Sequence, residues 1–204
     1  MANFIKRFRI INPLQKKLFF ILCFAVNSCA FAQNVGVKAG GNWTSLMSNT
    51  PLGQLIGFEH RFSFHAGVLI DIKLSDRLIL QPNLLYTIKG SYLAFSDENM
   101  SINYLEMPLN VLYKFNHLTT GGGLYLGYAL GGGTQSVDLS FTSSTNDAVR
   151  FDYGINFSAN YAFETGFFVS ANYALGLANV TNNANQRITN TNLTLSLGRM
   201  FGKR

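Results

Sequence analysis

Eight side chains that can carry charge lie at alternating positions in extended segments, where they share the polar side. They are Lys38, His65, Asp71, Lys73, Lys89, Glu106, Lys114 and Asp152. Charges inside a folded chain are costly unless they are paired, and paired networks are the commoner reason for such clusters. We therefore predict an internal ion-pair and hydrogen-bond network with Glu106 as its hub, rather than a catalytic or transport site. Pro108 cannot donate to a strand ladder, which predicts a bulge beside Glu106.

The remaining histidines, cysteines and glycines indicate no further chemistry. His60, His65 and His117 stand in neither a Ser/His/Asp arrangement nor a metal-ligand spacing. The run from Gly121 to Gly123 lies inside an extended segment, whereas a phosphate loop needs a strand-to-helix turn. The sequence therefore predicts no enzyme, no cofactor and no metal.

The alternation that groups these residues has the period of a β-strand. It is clearest from residue 150 to residue 177, where two alternating runs flank a tight turn at Glu164 and Thr165. Each arm has about a dozen residues, whereas strands of soluble proteins usually have about 5–6. A tilted strand needs about 9–11 residues to cross a bilayer. This hairpin, which has one aromatic face, is long enough to span a membrane.

The same period predicts eight strands along the chain. They cover residues 34–43, 62–74, 78–89, 103–115, 119–131, 151–163, 167–177 and 193–201. The connections alternate between short turns and long loops, the loops being 44–61, 91–101, 132–149 and 179–191. This is the pattern of outer-membrane barrels, which have periplasmic turns and extracellular loops. We predict an all-β fold, an eight-stranded antiparallel up-and-down transmembrane β-barrel, with both termini in the periplasm and strand one paired to strand eight.

The first 32 residues have the features of a cleavable signal peptide. A basic segment precedes an apolar run from Leu18 to Val26, and Ala30-Phe31-Ala32 fits the small-x-small rule for cleavage. We predict a signal peptide over 1–32, cleavage between Ala32 and Gln33, and a single barrel domain over 33–204. Cys29 offers an alternative lipoprotein-type site. Both cysteines precede residue 33, so the mature chain contains no thiol.

The charge distribution argues against a nucleic-acid partner. The net charge is +6, but five of the 16 Lys and Arg residues precede residue 33, while all 10 Asp and Glu residues follow it. The remaining 11 basic residues nearly balance the 10 acids, so the mature chain is near +1 and the nucleic-acid interpretation loses its main support. Charged residues make up 13% of the chain, against a usual ~25%. That is too few for an ordinary water-facing surface.

Alternation alone does not decide whether the apolar face meets lipid outside or a ligand inside. A lipocalin is also an eight-stranded up-and-down barrel, and Gly41-Asn42-Trp43 supplies a Gly-x-Trp. The polar parity, however, is mostly Gly, Ser, Asn, Thr and Ala, which suit the crowded interior of a narrow barrel. Tyrosine and phenylalanine near strand ends fit interfacial girdles. We therefore predict that the apolar face contacts outer-membrane lipid.

Two segments carry a resemblance to a known family. They are Gly36-Val37-Lys38-Ala39-Gly40-Gly41-Asn42-Trp43, and Tyr104-Leu105-Glu106-Met107-Pro108-Leu109 leading to Tyr113-Lys114-Phe115. The chain resembles the PorT-like outer-membrane β-barrel family of the Bacteroidota along essentially its whole mature length. The resemblance implies a barrel in the outer membrane more than an activity, and a few members are tied to protein secretion. It also implies that the barrel-insertion machinery reads the terminal strand, which ends Arg199-Met200-Phe201.

Two function classes remain. One is a structural or interaction barrel whose lumen is plugged and whose loops or turns bind an envelope or secretion partner. The other is a narrow pore or transporter for small solutes. Eight strands leave an interior that side chains just fill, which favours the first class.

Overall fold

The computed structural model describes residues 34–48, 58–94, 97–133, 138–139, 150–179 and 187–202. Nearly all of these residues are in β-strands. Within these ranges no helix has the length and apolar character to cross a membrane. The predicted signal peptide and its cleavage point at Ala32 and Gln33 lie outside the described residues and stay predictions.

Ten strands occur in the described ranges, eight long and two of only two residues. They are β1 (Asn34–Ser48), β2 (Phe58–Glu59), β3 (Arg61–Lys73), β4 (Leu78–Leu93), β5 (Glu98–Phe115), β6 (Leu118–Gly133), β7 (Asp138–Leu139), β8 (Phe151–Ala162), β9 (Phe167–Gly176) and β10 (Ile188–Phe201). The short strand β2 pairs with β4, and β7 pairs with β6.

The eight long strands form one closed antiparallel ring. In ring order they are β1, β3, β4, β5, β6, β8, β9 and β10, and β10 pairs back onto β1. The closing ladder runs from Val35 opposite Phe201 to Ser48 opposite Ile188. Closure leaves no long strand edge unpaired, as a barrel in lipid requires. The predicted eight-stranded up-and-down barrel is confirmed.

Several strands are longer than predicted. β1 continues to Ser48, β4 reaches Leu93, β5 begins at Glu98 and β10 begins at Ile188. The ends of the four segments predicted as loops are therefore strand. The extra residues include many polar ones that look like loop, but Thr44, Ser91 and Asn190 are buried inside the barrel. At these positions polar residues indicate the inner face of a strand and not the start of a loop.

The two faces of the ring differ as the alternation predicts. The apolar parity lies outside, with Phe157 53% and Leu195 66% exposed, while buried Asn, Ser and Thr residues line the inside. A lipocalin-like barrel would need the opposite arrangement, so that alternative is wrong. The outer surface of the barrel wall is mostly apolar, as expected for a surface that contacts lipid.

The ring contains one register shift, and it is not at the predicted place. Between β5 and β6, Asn103 pairs with Gly131 but Tyr104 pairs with Ala129, so Leu130 is the extra residue. Pro108 pairs in unbroken register with Tyr125, so the predicted bulge beside Glu106 is wrong. The missing N–H of Pro108 is accommodated without an extra residue.

Candidate functional site

An ion pair network crosses the lumen in the half nearer the long loops. Lys89 on β4 forms ion pairs with Glu106 on β5 and with Asp152 on β8, the latter at 3.1 Å between Nζ and Oδ2. Lys89 is 1% exposed and Asp152 is fully buried. Buried charges of this kind are stable only when paired, so one lysine holds two carboxylates from different strands.

Neutral side chains complete the contacts of Asp152. The Tyr125 hydroxyl lies 3.2 Å from each carboxylate oxygen, and Asn190 Nδ2 donates to Oδ2 at 3.0 Å. The Lys89 ammonium also lies over the Tyr125 ring, 4.2 Å from its centroid, which a cation favours. Tyr104 packs alongside, with Asn190 Nδ2 at 3.4 Å from its hydroxyl. We call the following set the lumen cluster: Lys89, Tyr104, Glu106, Tyr125, Asp152 and Asn190.

Glycines on β8 and β9 make room for the Tyr125 ring, which projects from β6. A Cβ at Gly154 on β8 would lie 2.7 Å from Tyr125 Cε1, and one at Gly176 on β9 would lie 3.1 Å from its hydroxyl. Interior positions of small barrels often alternate between small and large residues for this reason. The glycines therefore position the ring that covers Lys89.

A second polar chain lies beside the cluster and centres on His65. The ring contacts Asn42 Oδ1 through Nδ1 at 2.5 Å and Ser196 Oγ through Nε2 at 2.8 Å. Asn42 Nδ2 donates to the Ile88 carbonyl at 3.2 Å, which directs the amide oxygen at the histidine. We assign the proton to Nδ1 on this basis, so that Ser196 donates to Nε2. Gly40 pairs with both His65 and Ser196, and a Cβ at this position would lie 1.9 Å from the Leu195 carbonyl oxygen, so only glycine fits here.

The order Ser196, His65, Asn42 is that of a nucleophile, a base and an orienting group. The void beside His65 has a volume of only about 20 Å³ and is lined by Lys38, Thr87 and Glu106 among others. Such a void holds about one water molecule. With no room for a substrate, we interpret this chain as lumen packing. Among the described residues, no group of three His, Cys, Asp or Glu side chains could hold a metal ion.

A family model decides the class of the protein. The model described as outer membrane protein beta-barrel domain matches residues 31–182, which is most of the chain. The chain belongs to this outer membrane β-barrel family. Its location is therefore the outer membrane. Comparison with curated proteins finds no match.

Solved structures of outer membrane barrels are similar to this family member. Ail, the attachment invasion locus protein of Yersinia pestis, is 11% identical, with 82% of this chain and 98% of that chain covered and a TM-score of 0.49. Neisserial surface protein A is 16% identical, with 82% and 97% covered and a TM-score of 0.49. OprG from Pseudomonas aeruginosa is 12% identical, with 84% and 97% covered and a TM-score of 0.48.

The eight predicted network residues of this outer membrane barrel lie at two levels. Lys38, Lys89, Glu106 and Asp152 are buried charges, and Lys38 interacts electrostatically with Glu106. His65 is buried too but has uncharged partners. These residues form the closed level, nearer the loops.

The other three predicted residues lie at the short-turn end. Asp71 is half-buried and accepts a hydrogen bond from Gln81 Nε2 at 2.8 Å. Lys73 and Lys114 are exposed, and neither forms an ion pair with any described residue. The prediction that these two lysines belong to a buried network is wrong, because they lie where the strands end and water reaches them.

The centre of the network also differs from the prediction. Lys89 contacts both carboxylates and two rings, whereas Glu106 forms an ion pair with Lys89 alone, so Glu106 is not the hub. Sequence reasoning missed Tyr104, Tyr125 and Asn190 as partners. Asn190 fell in a segment predicted as loop, although it shares the parity of Ser196 on the same strand. That parity was the available signal.

Proposed function

We propose that this outer membrane barrel is a non-enzymatic, non-conducting component of the cell envelope that acts by structure and interaction. The observation that carries the proposal is the lumen cluster, in which Lys89, Glu106 and Asp152 are buried and paired across the interior. An ion or solute entering this level would have to displace a paired, desolvated charge. Separating one partner of such a pair costs about 3–5 kcal/mol.

The proposal extends to orientation and partners. We place the short turns and termini in the periplasm and the long loops outside, following the general pattern of outer-membrane barrels. The partners would be outer-membrane lipid, the barrel-insertion machinery during assembly, and an envelope protein that binds the loops or turns. The resemblance to the PorT-like family of the Bacteroidota supports a role connected with protein secretion.

A narrow pore for small solutes is the second candidate. The void of about 20 Å³ beside Lys38 and Glu106 favours it, because this space lies next to the lumen cluster and is lined by polar groups. Rearrangement of the Lys89 side chain would then be the step that opens the lumen. This candidate differs from the first in predicting conductance by the unmodified protein.

Conductance in planar bilayers separates the two candidates. The refolded wild type should show no steady conductance, whereas Lys89→Ala should conduct because it removes the cation that holds both carboxylates. Lys114→Ala is the matched control, since it removes an exposed lysine at the opposite end, and it should behave as wild type. Steady wild-type conductance that Lys89→Ala leaves unchanged would refute the closed lumen.

Interaction is tested separately in the native membrane. A photocrosslinking residue placed in the short turn 75–77 should capture an envelope protein, while the same residue at lipid-facing Phe157 should not. Absence of a specific crosslink at every turn and loop position would sink the interaction role. The bilayer result would still stand in that case.

A further inference from the structure

The lumen opens at the short-turn end into a cavity of about 260 Å³, which we call the turn-end vestibule. Every one of the eight long strands contributes to its lining. The lining residues include Leu69, Lys73, Ile79, Lys114, Ala162 and Phe168. The cavity is therefore a built feature of the ring rather than a gap between two neighbours.

The vestibule has an apolar floor and a basic rim. Leu69, Ile79 and Phe168 are buried with their side chains turned inward, although most of the barrel interior is polar. Lys73 and Lys114 lie at the mouth and are attracted electrostatically by Asp71 without a direct ion pair. With Asp71 already bonded to Gln81, the three charges sum to one positive charge facing the cavity.

A buried acceptor without a donor also lines the vestibule. Asn34 is 9% exposed, and its Oδ1 has no hydrogen-bond partner among the described residues. A buried acceptor left unpaired costs about 1–3 kcal/mol, so a donor supplied by a ligand would be favourable at this atom. The Oδ1 atom itself is shielded from solvent, so an N–H or O–H donor in the cavity bonds it once the Asn34 side chain turns toward the lumen.

We propose that the turn-end vestibule binds a small organic carboxylate that has an apolar body and one nearby N–H donor. The carboxylate contacts Lys73 and Lys114, the donor bonds Asn34 Oδ1, and the apolar body packs on Leu69, Ile79 and Phe168. Ligand cavities for drug-sized molecules are about 300–1,000 Å³, so this one suits a smaller ligand. An N-acylated apolar amino acid has this chemistry, and so does the last residue of a polypeptide chain.

The probe is N-acetyl-L-phenylalanine, titrated into the full barrel in lipid nanodiscs and followed by isothermal calorimetry. Nanodiscs avoid free detergent, which could fill the cavity. We expect saturable binding that weakens about tenfold in Lys73→Gln or Lys114→Gln, the loss of one charge-assisted contact. Arg77→Gln is the matched control, because Arg77 is a basic residue at the same end whose guanidinium bonds the Tyr113 hydroxyl instead. It should bind as wild type.

Two further arms make the test decisive. N-acetyl-L-phenylalaninamide, which lacks the charge, should bind at least about tenfold more weakly, and Ala162→Phe should block binding by filling the cavity. A tripeptide ending in phenylalanine distinguishes the sources: equal or tighter binding than the small probe assigns the site to a chain terminus, and weaker binding assigns it to a free solute. No saturable binding, or equal affinity for the neutral amide, would overturn the proposal whatever the bilayer conductance.

Discussion

The lumen cluster and the turn-end vestibule are two levels of one interior, and they treat charge in opposite ways. In the cluster, Lys89 is fully buried and contacts two carboxylates, while in the vestibule Lys73 and Lys114 are exposed and lack a direct ion pair with any described residue. The cluster is closed by aromatic rings, and the vestibule has an apolar floor with open space above it. In the lumen cluster, which excludes water, each charge forms an ion pair. In the vestibule, which water enters, the lysines are solvated and can contact a ligand.

The largest expected effect on this contrast comes from Lys89→Ala. It should lower the free energy of unfolding by about 3–5 kcal/mol, because Glu106 and Asp152 lose their shared cation while remaining buried. Lys114→Ala should change it by no more than about 0.5 kcal/mol, as expected for an exposed site. Urea unfolding from lipid vesicles measures both. Adding Glu106→Gln and Asp152→Asn to a Lys89→Met variant should recover most of the lost free energy of unfolding, because no buried charge is then left unpaired. Equal losses in Lys89→Ala and Lys114→Ala would show that the two levels do not differ.

A smaller effect is expected from filling each level with a larger side chain. Ala174 is buried beside the void of about 20 Å³, so Ala174→Leu should cost about 1–3 kcal/mol by overpacking. Ala162→Leu extends into the vestibule of about 260 Å³ and should stay within about 0.5 kcal/mol of wild type. The same urea titration checks the pair. A costly Ala162→Leu would mean that the vestibule is not open space.

The smallest contrast removes one hydroxyl at each level. Ser196→Ala deletes the donor to His65 and should cost about 1–2 kcal/mol, the lower part of the range for a buried acceptor left unpaired, because the void of about 20 Å³ beside the ring can admit a water molecule. Thr119→Val deletes the acceptor for Asn160 Nδ2, which lies at 3.3 Å beside the vestibule, and water can replace it. Its cost should be below about 0.5 kcal/mol. Thermal unfolding of the two variants in the same lipid measures both costs. A larger cost for Thr119→Val than for Ser196→Ala would contradict a vestibule that water enters.

The sequence predicted the ring well because alternation survives in every strand. Phe151 to Tyr161 and Phe167 to Tyr173 share outward parity without a break, so strand number and facing followed directly. Strand ends were missed because residues such as Thr44 and Asn190 are polar and line the lumen, and polar residues are also typical of a loop. Inner and outer position can thus be inferred from period, but length cannot.

The sequence did not predict how deep each inward-facing residue lies along the barrel axis. Lys89 and Lys114 share inward parity, yet one is at the centre of a buried network and the other is exposed. The stagger between tilted strands sets which residues share a level, and it brings Asp152 next to Lys89 from a strand that is not adjacent to β4. Neither the two-residue period nor the sequence spacing of these residues predicts the stagger between strands.

The closing ladder between β1 and β10 has a consequence for how the chain can be cut and rejoined. Val35 and Phe201 are directly paired, so a short linker could join the two ends of the barrel domain without disturbing a single ladder. New ends could then be opened at a surface connection such as 74–77, where all four residues are exposed. Such a circular permutant would keep the same ring and the same interior, while a different pair of strands would meet last during assembly.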